Sequence, residues 1–286
     1  MENKFEHNGF GKRLSSMLKV DFRRMFTMRT FYIIAGACFL MPILILTMTT
    51  MFGGEDSMAG TQPPSTSVTT QAEPMFENTW QIIGSFSGGA EQDTSADTNA
   101  DPAAMGMSMD MTTMCNINML YFGMAVLVCL FVSEDFKSGY SKNLFTVRAK
   151  KSDYVISKTL VCFVGSAFML ISFFVGAMLG GAIAGLPFDL GTASIGSIVM
   201  CMLSKIFLSL VFVAIFLAVS VAAKERTWLS MIGSFAVGML LFMMIPMLTP
   251  LDATSVNVIM CLVGGAVFAV GLGAVSGVIL NKTRLV

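Results

Sequence analysis

The sequence predicts an all-α membrane protein: six transmembrane helices, preceded by an amphipathic N-terminal helix at the interface, with both termini cytoplasmic. Three observations predict it. Six apolar stretches divide the chain, at Phe31–Phe52, Ile117–Ser133, Thr159–Leu186, Ile195–Ala223, Thr227–Leu248 and Val256–Leu280. All Lys and Arg except Lys205 fall before the first stretch, between the second and third, between the fourth and fifth, or after the sixth. The alternate segments contain no base but hold 11 of the 18 acids, so they are assigned to the outer side, because exported loops lack the Lys and Arg that cytoplasmic loops retain. The third observation is a mean hydropathy of +0.73, with runs long enough to cross ~30 Å of hydrocarbon at ~1.5 Å per residue.

A net charge of zero conceals this separation and carries no information about partners. The 286 residues are largely used by the spans, which leaves no room for a soluble catalytic domain. Cys38, Cys129, Cys162, Cys201 and Cys261 lie inside apolar stretches and Cys115 at an exported boundary, without paired spacing. They read as small buried hydrophobes rather than a disulfide framework or zinc site.

Residues 1–30 are expected to form the cytoplasmic N-terminus and 31–286 the six-helix transmembrane domain. Leu14, Met17, Leu18, Phe22, Met25 and Phe26 share about half the circumference of a helix at ~100° per residue. Lys12, Arg13, Ser16, Lys19, Arg23 and Arg24 occupy the other half. Such a helix beside a span lies in the interface against anionic lipid heads rather than on nucleic acid. The first span carries Pro42, tolerable in a membrane helix but expected to kink it. No small-residue cleavage site follows it, so it is expected to stay as an anchor.

The exported segment 53–116 is large and acidic, with nine acids and no base. Within it Pro74–Phe86 is apolar enough for a short helix on the outer surface, whereas Gly88–Ala104 lacks the apolar residues that offset ordering entropy. Segment 134–158 returns to the cytoplasm; Pro187–Ser194 and Thr249–Ser255 are short exported loops, and Lys224-Glu225-Arg226 is a terse inner turn. In the last span Gly265, Ala269, Gly273 and Gly277 recur every four residues. That smooth seam lets another backbone approach closely. Gly176 with Gly180, and Ala214 with Ala218 and Ala222, form similar seams.

Chemistry is sparse. Lys205 is the one ionisable residue within a span, some 19 residues from the inner boundary at Lys224, and its stem is expected to snorkel to the outer interface. The buried carboxylates of a proton-coupled pump are not expected. One histidine, His7, and no carboxylate pair leave no machinery for acid–base catalysis or metal hydrolysis. Gly9-Phe10-Gly11-Lys12 lacks the spacing of a phosphate-cradling loop, and Ser87-Gly88-Gly89 lies in the exported segment, so this chain is not expected to bind ATP. The exported run Met105, Met107, Met109, Met111 and Met114 offers soft sulfur suited to Cu(I). It raises the alternative of a permease for copper-site assembly. A membrane scaffold or sensor that moves no solute is the second alternative.

The run Ser133-Glu134-Asp135-Phe136-Lys137-Ser138-Gly139-Tyr140-Ser141-Lys142-Asn143-Leu144, continued by Arg148, Asp153, Tyr154 and Lys158, resembles the cytoplasmic loop of ABC-2 type transporter permeases. Those permeases place an acid at the end of the second helix, then Gly, an Asn-Leu pair, a base, and a Tyr and Lys opening the third helix. The interfacial helix, the large first exported loop and the six spans also match, most closely the bacitracin, lantibiotic and modulin-peptide export or immunity group. The resemblance implies a transport subunit, not an enzyme, in a dimer with a second copy or paralogue. ATP and Mg would be bound by a separate cytoplasmic ATPase. Its coupling residues would be Glu134, Asp135, Phe136, Gly139, Tyr140, Asn143, Leu144 and Arg148, with Phe136, Tyr140 and Leu144 as an apolar stripe entering a cleft of the ATPase. Lys137, Lys142, Arg148, Lys150 and Lys151 read individually as topology determinants.

Overall fold

The computed structural model describes residues 10–52, 76, 78–84, 116–146, 151–190, 194–224, 226–242 and 244–282. All regular structure among them is helical: α1 (Phe10–Thr27), α2 (Arg29–Phe52), α3 (Leu120–Lys137), α4 (Tyr140–Thr146), α5 (Lys151–Ala184), α6 (Ile195–Ala223), α7 (Thr227–Phe242), α8 (Met244–Leu248) and α9 (Ser255–Lys282), plus short 3-10 turns at Thr79–Ile82 and Ile117–Met119. Five segments are long and apolar enough to cross a membrane: Arg29–Met51, Ile117–Lys137, Lys151–Ala184, Ile195–Ala223 and Ser255–Leu280. The fifth apolar stretch of the sequence contains the 16-residue α7 and the five-residue α8 on either side of position 243, which lies outside the described residues.

Two helix pairs organise the bundle, α2 with α5 and α6 with α9. The glycines of α5 explain the first. A Cβ at Gly176 would overlap the carbonyl oxygen of Phe39 and the ring of Pro42, and one at Gly180 would sit 2.9 Å from the Cα of Ile43. Absent side chains therefore bring the two backbones together, and α2 runs as one helix through Pro42 because its ring rests in the space at Gly176. The α9 seam is used only in part. Gly265 abuts the carbonyl of Phe207 on α6, whereas nothing lies within 4 Å of a Cβ at Gly277. Ala214 is buried but Ala222 is exposed.

Helix α3 is the central post, with Met124, Ala125, Val128, Cys129 and Val132 fully enclosed. Small polar groups fasten α3, α6 and α7 together: Cys129 donates to Ser234, and Ser220 shares a 2.7 Å hydrogen bond with Ser230. The apolar patch expected as a short surface helix is not merely laid on the surface. Phe76, Ile82 and Ile83 are fully buried, the amide of Thr79 donates to the Pro187 carbonyl at 3.2 Å, and Asn78 donates to the Asp189 carbonyl. Gly181 makes room for the Thr79 side chain.

Gly176→Leu is expected to destabilise the protein by about 1–3 kcal/mol or more through overpacking. Gly277→Leu, facing open space, is expected to be nearly silent. Melting temperatures of the two variants in the same detergent decide this, and equal values would contradict the α2–α5 packing.

Candidate functional site

The sequence-selected segment 134–146 lies at one end of the bundle, where the C-terminus of α3 meets α1 and the start of α5. Helix α3 closes with Ser138 donating its amide to the Glu134 carbonyl at 2.9 Å, and Gly139 follows at a φ of +70°. That left-handed turn requires glycine and redirects the chain into α4.

Three fully buried charges lie beneath this turn. Lys158 Nζ of α5 is 2.9 Å from Asp21 Oδ1 of α1 and 2.6 Å from Asp135 Oδ2 of α3, and all three side chains are 0% exposed. Arg24 completes the group, donating from Nη1 to Asp135 Oδ1 at 2.6 Å. Neutral donors satisfy further oxygens: the Tyr154 hydroxyl donates to Asp135 Oδ2 at 3.0 Å, and Ser157 Oγ donates to Asp21 Oδ2 at 2.7 Å. Lys158 Nζ also lies 3.9 Å from the centre of the Phe131 ring, and the Arg24 guanidinium lies 3.9 Å over the Tyr140 ring. Those aromatic faces attract cations where water is excluded. Burial, reinforced by Asp21 and Asp135 and opposed by Arg24, pushes the Tyr140 phenol above its ordinary range, so it stays neutral. Towards the rim, Arg13 of α1 stands 3.5 Å from the buried carboxylate of Asp153.

Helical spacing produces this arrangement. Met17, Asp21 and Met25 recur every four residues and are the buried residues of α1. They form a line that faces protein, so the apolar arc of α1 is only partly a lipid-facing surface. The acid at the middle of that line was a legible signal in the sequence, and sorting residues by hydrophobicity alone passed over it. The expectation of no buried carboxylates is therefore corrected: Asp21, Asp135 and Asp153 are all buried. They are tolerated because cations from neighbouring helices neutralise them.

The predicted coupling residues separate into two sets. Asp135 belongs to the ion network, Phe136 is 4% exposed in the hydrophobic core, and Tyr140 and Leu144 are half-buried. The apolar stripe thus packs against the bundle, and Ser141 helps to hold it by donating to the Asp135 carbonyl at 3.2 Å. Glu134, Lys137 and Asn143 face outward, and Gly139 forms the turn. Arg148 and Lys150 lie outside the described residues, as do His7, Cys115 and the methionine run Met105–Met114. Lys151 Nζ donates to the Leu280 carbonyl at 2.6 Å, capping the C-terminal end of α9 with positive charge.

A second polar centre surrounds Lys205, in the half of the bundle remote from α1. The expectation of snorkelling is overturned, since Lys205 is fully buried and its ammonium donates to Asn118 Oδ1 at 3.0 Å and Thr249 Oγ1 at 2.9 Å. Asn118 belongs to the 3-10 turn before α3, and Thr249 follows α8 and passes its own proton to the Ile245 carbonyl. These two segments fold over the ammonium and supply the oxygens that headgroups and water would otherwise provide. The Tyr121 hydroxyl donates to the Lys205 carbonyl at 2.9 Å, which fixes α3 to α6 at this level. Beside this centre, Leu208, Phe212, Ile245, Leu248 and Cys261 line an almost wholly apolar pocket of about 320 Å³. Among the described residues no group of His, Cys, Asp and Glu is placed to hold a metal.

Residues 82–240, from the end of the first 3-10 turn into α7, match the family model described as ABC-2 family transporter protein. The chain belongs to that family. Its members are the membrane subunits of transporters and work with an ATPase partner. No curated protein and no solved structure matches the chain significantly. The matched region of this ABC-2 permease contains Asp135 and Lys158, whereas Asp21 and Arg24 lie before it.

Lys158→Met removes the cation shared by two buried carboxylates and is expected to cost about 3–5 kcal/mol. Lys205→Met leaves only neutral oxygens without a donor and is expected to cost about 1–3 kcal/mol. Thermal unfolding of the purified chain ranks the two; a larger loss for Lys205→Met would refute this account of the ion network.

Proposed function

We propose that this ABC-2 permease is the six-pass membrane subunit of an ABC exporter, with both termini cytoplasmic and α7 with α8 together forming the fifth crossing. The observation that carries the reading is the family match over residues 82–240, which takes in the whole turn between α3 and α5. ATP and Mg are bound by a separate cytoplasmic ATPase, and the permease works as a dimer with a second copy or paralogue in the cell membrane. The cargo is amphipathic, an antimicrobial peptide or a hydrophobic drug, as in the bacitracin, lantibiotic and modulin-peptide group. Support for an apolar cargo comes from the pocket lined by Leu208, Phe212 and Ile245, which offers almost no polar surface.

The segment 134–151 docks on the ATPase, and its docking face is the exposed one. Phe136 already lies in the permease core, so Glu134, Lys137 and Asn143 present the contacts that a partner can reach. Asp135 acts from beneath, by holding the turn in place through Lys158 and Arg24. Closure of the ATPase pair on ATP pushes on this turn, and the bundle rocks between inward- and outward-facing states.

Reversing two exposed charges, Glu134→Arg with Lys137→Glu, is expected to lower recovery of the co-expressed ATPase. The chain's own melting temperature should be nearly unchanged, as surface substitutions usually leave it. Undiminished recovery would exclude this face. Transport itself is tested with permease and ATPase in proteoliposomes, where an amphipathic cationic peptide should stimulate ATP hydrolysis. Hydrolysis indifferent to such peptides and to hydrophobic drugs would contradict the cargo reading.

A further inference from the structure

We infer that α1 is a detachable arm, and that the group of Asp21, Arg24, Asp135 and Lys158 is divided so that the arm can leave the bundle without stranding any of these four charges. The inference rests on the proposed ATPase docking and concerns what moves when docking occurs. Its basis is the distribution of the four charges between bodies. Asp21 and Arg24 both belong to α1, whereas Asp135 and Lys158 belong to α3 and α5. Each body carries one acid and one base. The closed network crosses the boundary twice, through Asp21–Lys158 and Arg24–Asp135. It also holds a pair inside the bundle body, Lys158–Asp135 at 2.6 Å.

Separation along that boundary leaves two neutral halves. Lys158 keeps Asp135, with Tyr154 still donating to the same oxygen. On α1, Asp21 and Arg24 stand three residues apart, a spacing at which opposite charges on one helix can pair. An allocation that put two like charges, or a single charge, on α1 would leave an uncompensated charge in a buried site when the arm moved, and that is heavily unfavourable. Release also draws Met17 and Met25 out of the core and parts Arg13 from the buried Asp153, a cost that the movement has to meet. Arg24 is 28% exposed and reaches water as soon as α1 shifts, and the rim pair Arg13–Asp153 is 3.5 Å long with Arg13 one-third exposed. Helix α1 is joined to α2 at Met28, the single residue between them, whose amide donates to the Arg24 carbonyl at 3.1 Å.

The two double variants Asp21→Asn/Arg24→Gln and Asp21→Asn/Lys158→Met separate this inference from a merely structural role. Both retain one neutral ion pair when closed. The first keeps Asp135–Lys158 within the bundle, so opening still splits no charge. The second keeps Arg24–Asp135 across the boundary, so opening leaves one charge on each side. The measurement uses the full chain with its ATPase in lipid nanodiscs, carrying Cys115→Ser and spin labels at Ser16→Cys on α1 and Ile156→Cys on α5, both exposed positions. Pulsed EPR distances are compared without nucleotide and with Mg-ATP trapped by vanadate. The expected result is a nucleotide-dependent α1–α5 distance for the native network and for Asp21→Asn/Arg24→Gln, and a fixed one for Asp21→Asn/Lys158→Met. Equal shifts in both double variants would overturn the inference. So would a fixed distance with the native network in a complex that transports, whether or not the variants assemble. Failure of the ATPase to associate with the native chain would instead count against the docking reading.

Discussion

Lys158 is the point on which the α1 end of the bundle depends. One ammonium, wholly removed from water, lies within 3 Å of carboxylates on two other helices. Taking three charges out of solvent is costly, and an apolar core of the same volume would hold the helices together as well or better. What the ionic arrangement provides is directional: Lys158 meets Asp21 only where α1 lies along α5, and meets Asp135 only where the end of α3 packs against α5. The turn at Gly139, the inward stripe of Phe136 and Leu144, and the outward face of Glu134, Lys137 and Asn143 follow from that placement.

The opposite half of the bundle uses a different device. Lys205 is as deeply buried as Lys158, but its ammonium donates to the neutral oxygens of Asn118 and Thr249. They come from segments flanking helices rather than from helix interiors, so this ammonium gathers the 3-10 turn before α3 and the end of α8 onto α6. The two lysines thus join helices at opposite ends, and the middle is left to small-residue contacts and serine hydrogen bonds. An apolar pocket lies between these levels, beside Leu208 and Ile245. A transporter that rocks needs ends that hold a defined geometry and a middle whose contacts can slide, and this division of labour is consistent with that requirement.

Much of the site was readable in the sequence because hydrophobic periodicity and charge sidedness are local properties. The segment 134–146, the amphipathic α1 and the glycines of α5 were each recognisable from spacing. Asp21 was passed over because it interrupts an apolar arc, and a scheme that sorts residues into apolar and polar halves treats one acid there as noise. Phe136 was assigned outward because i, i+4, i+8 spacing identifies a face without saying what the face meets. Lys205 was sent to the interface because arithmetic along one helix gives depth but not neighbours.

By itself the sequence determined that the chain is helical and membrane-embedded, where its apolar stretches run, which segments are basic, and that its polar turn has the ABC-2 order. These depend on composition and on contacts within a few residues, since burying unpaired backbone in lipid is prohibitive for any strand that is not closed into a barrel. Only the tertiary structure decided that Asp21, Asp135 and Lys158 meet, and that Asn118 and Thr249 enclose Lys205. Those outcomes join residues more than a hundred positions apart in the case of Asp21 and Lys158, and electrostatic pairing at such separations depends on how helices cross, which no local pattern encodes.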